Sequence, residues 1–589
     1  MHPRFALVFL ALVLAQPVQA SADPQKVLRW VLPRAETGFD PVRVHDYYSG
    51  SIVENIFERL VTYDYLARPA RLVPDTAEAM PQVGDAGRTY TFRLRKGIYF
   101  APDPVWQGKK RELTAEDYAY SLKRFVDPKL RSPWKFLLEG KILGLDAVAE
   151  RASKSGQFDY DAKVPGLEIV DRHTLRIRLT ETDYNFAHIL AMPTFGAVAR
   201  EIVEAYAEDT NAHPVGTGPY LLKKWVRSSK ISLEANPYYR GMVWDFKPGN
   251  DPEDQELVAS MKGKKMPQIG KIEVSVIEED QSRWLAFQNG ELDLLNMEGP
   301  LAPTALPGDQ LSPSLKKRGV RLNRIVDPEI MYTYWNMQDP VVGGMSREKV
   351  ALRRALAMAY NVAEEIRVIH NGQAVAAEFL VPPGVVGHDP NYRSGIRYDP
   401  AAANALLDKF GYAKGADGWR RLPDGKPLTL RYSSRPDSQG RQFDELWAKS
   451  MEAIGIRIDI HKDKFPELLR AEKLCKLQMR TGAWIADYPD GDNFLQLLFG
   501  PNTGQSNNAC AKIPEFDELY RKSKALPDSP ERNRLYQQMM RSFEAQTPWR
   551  LGVSRYRNML IQPRVMGYKK HPILHAEWLY MDLENKNGH

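Results

Sequence analysis

Only two cysteines, Cys475 and Cys510, occur in 589 residues, and no block of like charge and no low-complexity tract is present. Lys and Arg number 81 against 74 Asp and Glu, a formal charge of +7 that is small for this length. Nucleic-acid binders gather basic residues into a patch or stripe, so nucleic acid is not expected as a partner. Beyond the first twenty residues no apolar run approaches the roughly 20 residues needed to cross a bilayer. The usual catalytic signatures are missing as well: no G-x-S-x-G elbow, no H-E-x-x-H, no C-x-x-C and no phosphate-cradling glycine loop. Gly216-Thr217-Gly218 runs into Pro219-Tyr220 and opens no helix. His571 and His575 have helical ligand spacing, but Pro572 lies between them, so they are read as an ordinary surface pair and not a metal site. No catalytic residue, metal or cofactor is expected. What remains is an ordinary globular composition, 43% hydrophobic and 26% charged, long enough for about three or four units.

The N-terminus reads as an export signal. Arg4 is followed by the apolar run Phe5–Ala15 and by small residues at Val18-Gln19-Ala20, with Ala22 as a second cleavage position. The apolar core is too short to span a membrane, and no cysteine follows it that would carry a lipid. The alternative is a short N-terminal anchor. Export, most simply to a bacterial periplasm, predicts a Cys475–Cys510 disulfide, since an isolated pair in an oxidising compartment is more often bridged than metal-bound. Two free buried thiols are the other reading.

Helical and strand-like patterns alternate along the chain, which points to an α/β fold. Tyr90–Leu94, Leu175–Leu179 and Ile272–Ile277 alternate with period 2 and predict strands. Thr114 is placed to cap a helix that runs toward Arg124, with Glu116 and Asp117 in its positive first turn. Arg347–Tyr360, after Ser346, is amphipathic, and Asp399-Pro400 opens a helix through Leu407. Met242–Gly270, rich in Gly, Pro, Asp and Lys, predicts a surface insertion with one short helix; Lys414–Lys426 predicts a turn. No linker composition separates units, so they must pack against each other.

Several segments resemble, in order, family 5 of the extracellular solute-binding proteins, the peptide-binding components of ABC importers. They are Tyr90–Gly97 (YTFRLRKG) with Leu113–Ser121 (LTAEDYAYS), Pro214–Tyr220 (PVGTGPY), Asn236–Gly241 (NPYYRG) and Phe287–Asp293 (FQNGELD). Asn336, Leu352–Tyr360 (LRRALAMAY), Tyr398–Leu407 and Trp484–Leu495 (WIADYPDGDNFL) complete the series. The resemblance implies a bilobed periplasmic-binding-protein fold with an extra subdomain in the first lobe. On that reading the signal peptide is 1–20, and the discontinuous first lobe is 21–65, 212–327 and 556–589. The subdomain is then 66–211 and the second lobe 328–555. The implied protein is monomeric and hands its ligand to an inner-membrane permease with cytosolic ATPase subunits.

The resemblance also implies a site. An Asp at the place of Asp487 pairs with a peptide's α-amine, and a carboxylate in a closed, dry cleft suits an ammonium. Taken alone, Asp487 reads as a loop residue capping the turn at Tyr488-Pro489. Trp484 would form an aromatic wall against the first ligand residue, or is simply a core tryptophan. Tyr47, Tyr48 and Ser49 are expected at a pocket edge, with Tyr334 and Asn336 on one face of a strand and Tyr488 beside the anchor. Thr481 stands where oligopeptide members carry a basic residue, and Arg480 falls on the opposite face by strand parity, which leaves ligand length open. Relatives of the same fold carry nickel chelates, haem, sugars or opines, and these are alternative ligands. A periplasmic hydrolase on a bilobed scaffold is the alternative from a different class.

Overall fold

The computed structural model describes residues 22–249, 251–297 and 299–584; the expected signal peptide over 1–20 lies outside them. Asp23–Leu32 runs parallel to Ile269–Val276, which pairs antiparallel with Lys230–Ala235, and that strand with Tyr220–Val226. Period-2 alternation turns Ile231, Leu233, Ile272 and Val274 inward, where they meet Ile52, Val53 and Ile56 of the helix Tyr47–Ile56. The P-V-G-T-G-P-Y segment abuts the end of that helix. A Cβ at Gly216 would lie 2.1 Å from the Ile56 carbonyl oxygen, so only glycine allows the approach.

A second sheet, wholly antiparallel, orders Gln82–Gly84, Thr89–Arg93, Thr174–Arg178 and Leu167–Asp171. The helix Ala115–Arg124 packs on it and starts as expected. Asp117 accepts the Thr114 N–H at 2.7 Å and is gripped by both terminal nitrogens of Arg111.

The third sheet builds the other lobe in the order Arg457–Lys462, Thr429–Ser434, Met479–Ile485, Glu329–Trp335, Trp549–Leu551. Glu329–Trp335 alone runs against the others: the first three strands are parallel, and Trp549–Leu551, antiparallel to Glu329–Trp335, points the same way as they do. Trp335, Leu352, Leu356, Leu430, Trp447 and Met479 form its core with the helices Arg347–Ala359 and Ser438–Ala453. The lobes are joined by two adjacent strands. Arg321–Val326 leads through Asp327-Pro328 into Glu329–Trp335, and Leu551 leads through Gly552 into Val553–Ile561. Arg557 holds Asp327 and Arg555 holds Glu329, while Ser554 donates to the Glu329 carbonyl. These crossings are paired strands, which is why no linker composition marks them.

Two expectations fail here. Met242–Gly270 does contain the short helix, Glu253–Met261, but it is not a surface appendage, because Trp244, Met261 and Met266 are buried. The C-terminal segment folds over it: Trp244 donates to the Tyr580 carbonyl, and Lys569 reaches Asp251 and Asp254. A few apolar anchors outweigh a polar composition. Likewise, His571 is no surface residue. It is fully buried, its Nδ1 accepts the N–H groups of Ile573 and Leu574, and burial holds its pKa well below the usual range. The His575 ring lies 4.8 Å from that of Tyr47, and burial brings its pKa down to about 3.

Candidate functional site

Ligands of sheets with parallel strands bind outside the carboxyl ends of those strands. Here Thr429–Ser434 and Met479–Ile485 run parallel, the second extending further, and both lead into a cavity of about 190 Å³ between the lobes. Arg435 and Asp437 follow the first strand and Asp487 follows the second. The first lobe closes the cavity with Arg34, His45, Tyr47 and Tyr48.

Asn493, in the short helix Asp492–Leu495, organises one end. Its Oδ1 accepts both the Trp484 Nε1–H and the Asp487 backbone N–H, each at 3.0 Å, and its Nδ2 donates to the Asp487 carboxylate at 3.0 Å. Asp487 has no Lys or Arg ion-pair partner among the described residues, and burial pushes its pKa up to about 7 against the help of Asn493 and Trp484. Trp484 meets Trp134 of the first lobe edge to face, ring centres 6.3 Å apart. Tyr48 meets Phe465 across the cleft in the same manner, and the Tyr47 hydroxyl donates to the His575 carbonyl at 2.8 Å. Asp487, Trp484, Tyr47 and Tyr48 therefore share one cavity.

The other expected residues do not line it. The Ser49 N–H donates to Asp46 and its Oγ accepts the Thr37 N–H, so it belongs to a helix cap. Tyr334 is fully buried near Glu472 and Arg480. Asn336 lies just past its strand and donates to the Cys475 carbonyl at 2.7 Å. The Tyr488 hydroxyl donates to Asp492, on the side away from the cavity. The disulfide Cys475–Cys510 is formed, with Cα atoms 6.2 Å apart, and brackets Trp484, Asp487 and Asn493. Among the described residues no cluster of His, Cys, Asp or Glu is arranged to hold a metal ion.

The basic wall is the part that residue patterns did not reveal. Arg34 and Arg435 share Asp437, at 3.4 and 2.8 Å, and burial together with the neighbouring Arg34 charge lowers the pKa of Arg435. The two arginines lie 401 positions apart in sequence, being residues 34 and 435. The one signal available was positional: Arg435-Pro436-Asp437 directly follows a buried, β-patterned run.

Residues 71–506 match the model of the bacterial extracellular solute-binding proteins, family 5. The chain belongs to that family. Among curated relatives of this solute-binding protein, the di/tripeptide-binding protein 2 of Pseudomonas aeruginosa is 28% identical, with 93% of each chain covered. The haem-binding protein A of Haemophilus influenzae is 23% identical, over 96% of this chain and 94% of its own. Solved structures share the fold. DppA of Helicobacter pylori in complex with the peptide STSA superposes with a TM-score of 0.76 at 22% identity, over 95% of this chain and 98% of that one. OppA of Haemophilus influenzae with RPPGFSPFR gives 0.74 at 18%, over 96% and 100%. Like them, this solute-binding protein is bilobed and of mixed α/β content.

The raised Asp487 pKa gives this family-5 protein a definite pH dependence. From pH 3.8, the ordinary value, to about 7 the native carboxyl keeps a proton that the unfolded chain has lost. Stability of the ligand-free protein attributable to this group therefore falls as pH rises through that window. A cationic ligand held by Asp487 would need the carboxylate, and its affinity would then fall about tenfold for each pH unit below 7. Titration calorimetry at pH 6 in buffers of different ionisation enthalpy should show proton release on binding, absent in Asp487→Asn.

Proposed function

We propose that this chain is the periplasmic substrate-binding component of an ABC importer and that it holds short peptides in the interlobe cleft. The observation that carries the reading is the dipolar cavity. One end offers a buried carboxylate, Asp487, without a cationic partner among the described residues. Another wall offers Arg34 and Arg435, which share the Asp437 carboxylate. A zwitterion satisfies both groups: its α-ammonium meets Asp487 and its carboxylate meets the arginines, whose mutual repulsion it offsets. Backbone groups between the ends are held whatever the side chains are. The names of the relatives and the peptides in the similar structures support the same ligand class. Although one relative is a haem-binding protein, a cavity that offers charges of both signs suits a zwitterion better than a macrocycle. The reading is of a binding protein and not a hydrolase, acting as a monomer that docks on an inner-membrane permease with cytosolic ATPases after removal of the leader.

Native mass spectrometry of freshly purified protein tests the ligand class: a ladder of co-purifying peptides is expected, and a single haem, sugar or chelate mass would overturn it. Ligand binds the native state and not the unfolded chain. At about 100 times Kd a bound dipeptide should therefore add about 2.7 kcal/mol of stability, read as a rise in Tm.

A further inference from the structure

The cavity holds a second cationic station that a simple zwitterion leaves unmet. The helix Phe465–Lys473 ends at the cavity wall, where Glu472, Lys473, Arg480 and His45 come together. Glu472 and Arg480 are buried and paired at 2.5 Å, each serving as the other's counter-charge. Lys473 has no ion-pair partner of its own among the described residues; its ammonium donates to the Gln505 carbonyl. Burial lowers its pKa to about 8, and its charge helps to hold His45 neutral. Asp46, the acid nearest His45 in sequence, is engaged by Ser49 and Thr37. A carbonyl dipole does not neutralise an ammonium that is partly withdrawn from water, whereas a carboxylate does.

The station is also in a distinct place. Arg480 and Trp484 share one face of the Met479–Ile485 strand, four residues or roughly 13 Å apart. Lys473 and Arg480 thus lie at the end of the cavity away from Asp487. Ser433 is in register with Arg480, which sets Arg435 level with Gly482, between the two ends. Gly482 leaves that stretch of floor without a side chain. A ligand bridging the Asp487 carboxylate and the long Arg435 side chain would lie along this floor, with Lys473 beyond it on the Arg480 side.

Building on the peptide reading, we propose that Lys473 is a specificity-determining residue that receives the carboxylate of an acidic side chain at the second position of a short peptide. The same anion could instead be the terminal carboxylate of a longer peptide, and the test separates the two.

Titration calorimetry at pH 7 with Ala-Glu, Ala-Gln and Ala-Ala-Ala decides it. Wild type should bind Ala-Glu at least about tenfold more tightly than Ala-Gln. Lys473→Gln should bring the two within about twofold while leaving Ala-Gln affinity nearly unchanged. Lys473→Arg, which keeps the charge, should keep the preference and shows that the site tolerates substitution. Equal binding of Ala-Glu and Ala-Gln by wild type overturns the proposal, as does a Lys473→Gln variant that weakens both alike. If Ala-Ala-Ala is the ligand that depends on Lys473, the station reads a chain terminus and the side-chain assignment falls. Failure of wild type to bind any of the three peptides would remove the peptide reading as well.

Discussion

Asp487→Asn is expected to weaken binding of a free-amine dipeptide such as Ala-Ala by about 30- to several-thousand-fold, a cost of roughly 2–5 kcal/mol. Asparagine keeps nearly the same shape and can still meet Asn493, so the loss isolates the charge. The other carboxylates lining the cavity are engaged, Asp46 by Ser49 and Thr37 and Glu472 by Arg480, whereas Asp487 has Asn493 and Trp484 as its polar neighbours. Acetylating the peptide amine should cost the wild type a similar amount. The two changes should not add, since each removes the same ion pair. Calorimetry on the four combinations measures this coupling directly. N-acetylated peptide binding wild type as tightly as free peptide would show that Asp487 does not anchor an amine.

Replacing both cysteines by serine is expected to lower the stability of the second lobe by about 4 kcal/mol, the chain-entropy value for a loop of this length. The bridge closes a 35-residue separation that contains Trp484, Asp487 and Asn493. One end is tied further by Asn336, which donates to the Cys475 carbonyl. The Gln505 side chain accepts the Phe136 N–H of the first lobe at 2.7 Å, so the bracketed segment also touches the opposite lobe. The double variant should therefore melt earlier in scanning calorimetry and bind peptide more weakly. A variant that melts with wild type would mean that the loop is ordered by packing alone.

Local chemistry made much of the scaffold legible. The strands expected at Tyr90–Leu94 and Leu175–Leu179 are found one residue earlier, at Thr89–Arg93 and Thr174–Arg178. The helix after Thr114 and the one after Asp399 start as the caps predict, with Asp399 accepting the Ala402 N–H. Ser346 precedes its helix but makes no side-chain cap. Each of these features depends on residues within a few positions, where periodicity and capping act. The surface reading of Met242–Gly270 failed because its partners, Lys569 and Tyr580, come from the far end of the chain.

The site divides along the same line. Sequence alone pointed to an α/β chain with an export signal and a cysteine pair placed to bridge, and the family resemblance added a W-x-x-D segment with a candidate anchor carboxylate. Those depend on compartment, composition and short-range spacing. Only the tertiary structure decided which candidates face the cleft, since strand ends and helix caps turn Ser49, Tyr334, Asn336 and Tyr488 away while Tyr47 and Tyr48 stay. It alone brought Arg34 from the first lobe to Arg435 and Asp437 of the second, and set Lys473 beside the Glu472–Arg480 pair. Charge complementarity across a cleft is a property of distances between remote residues, and nothing local encodes those distances.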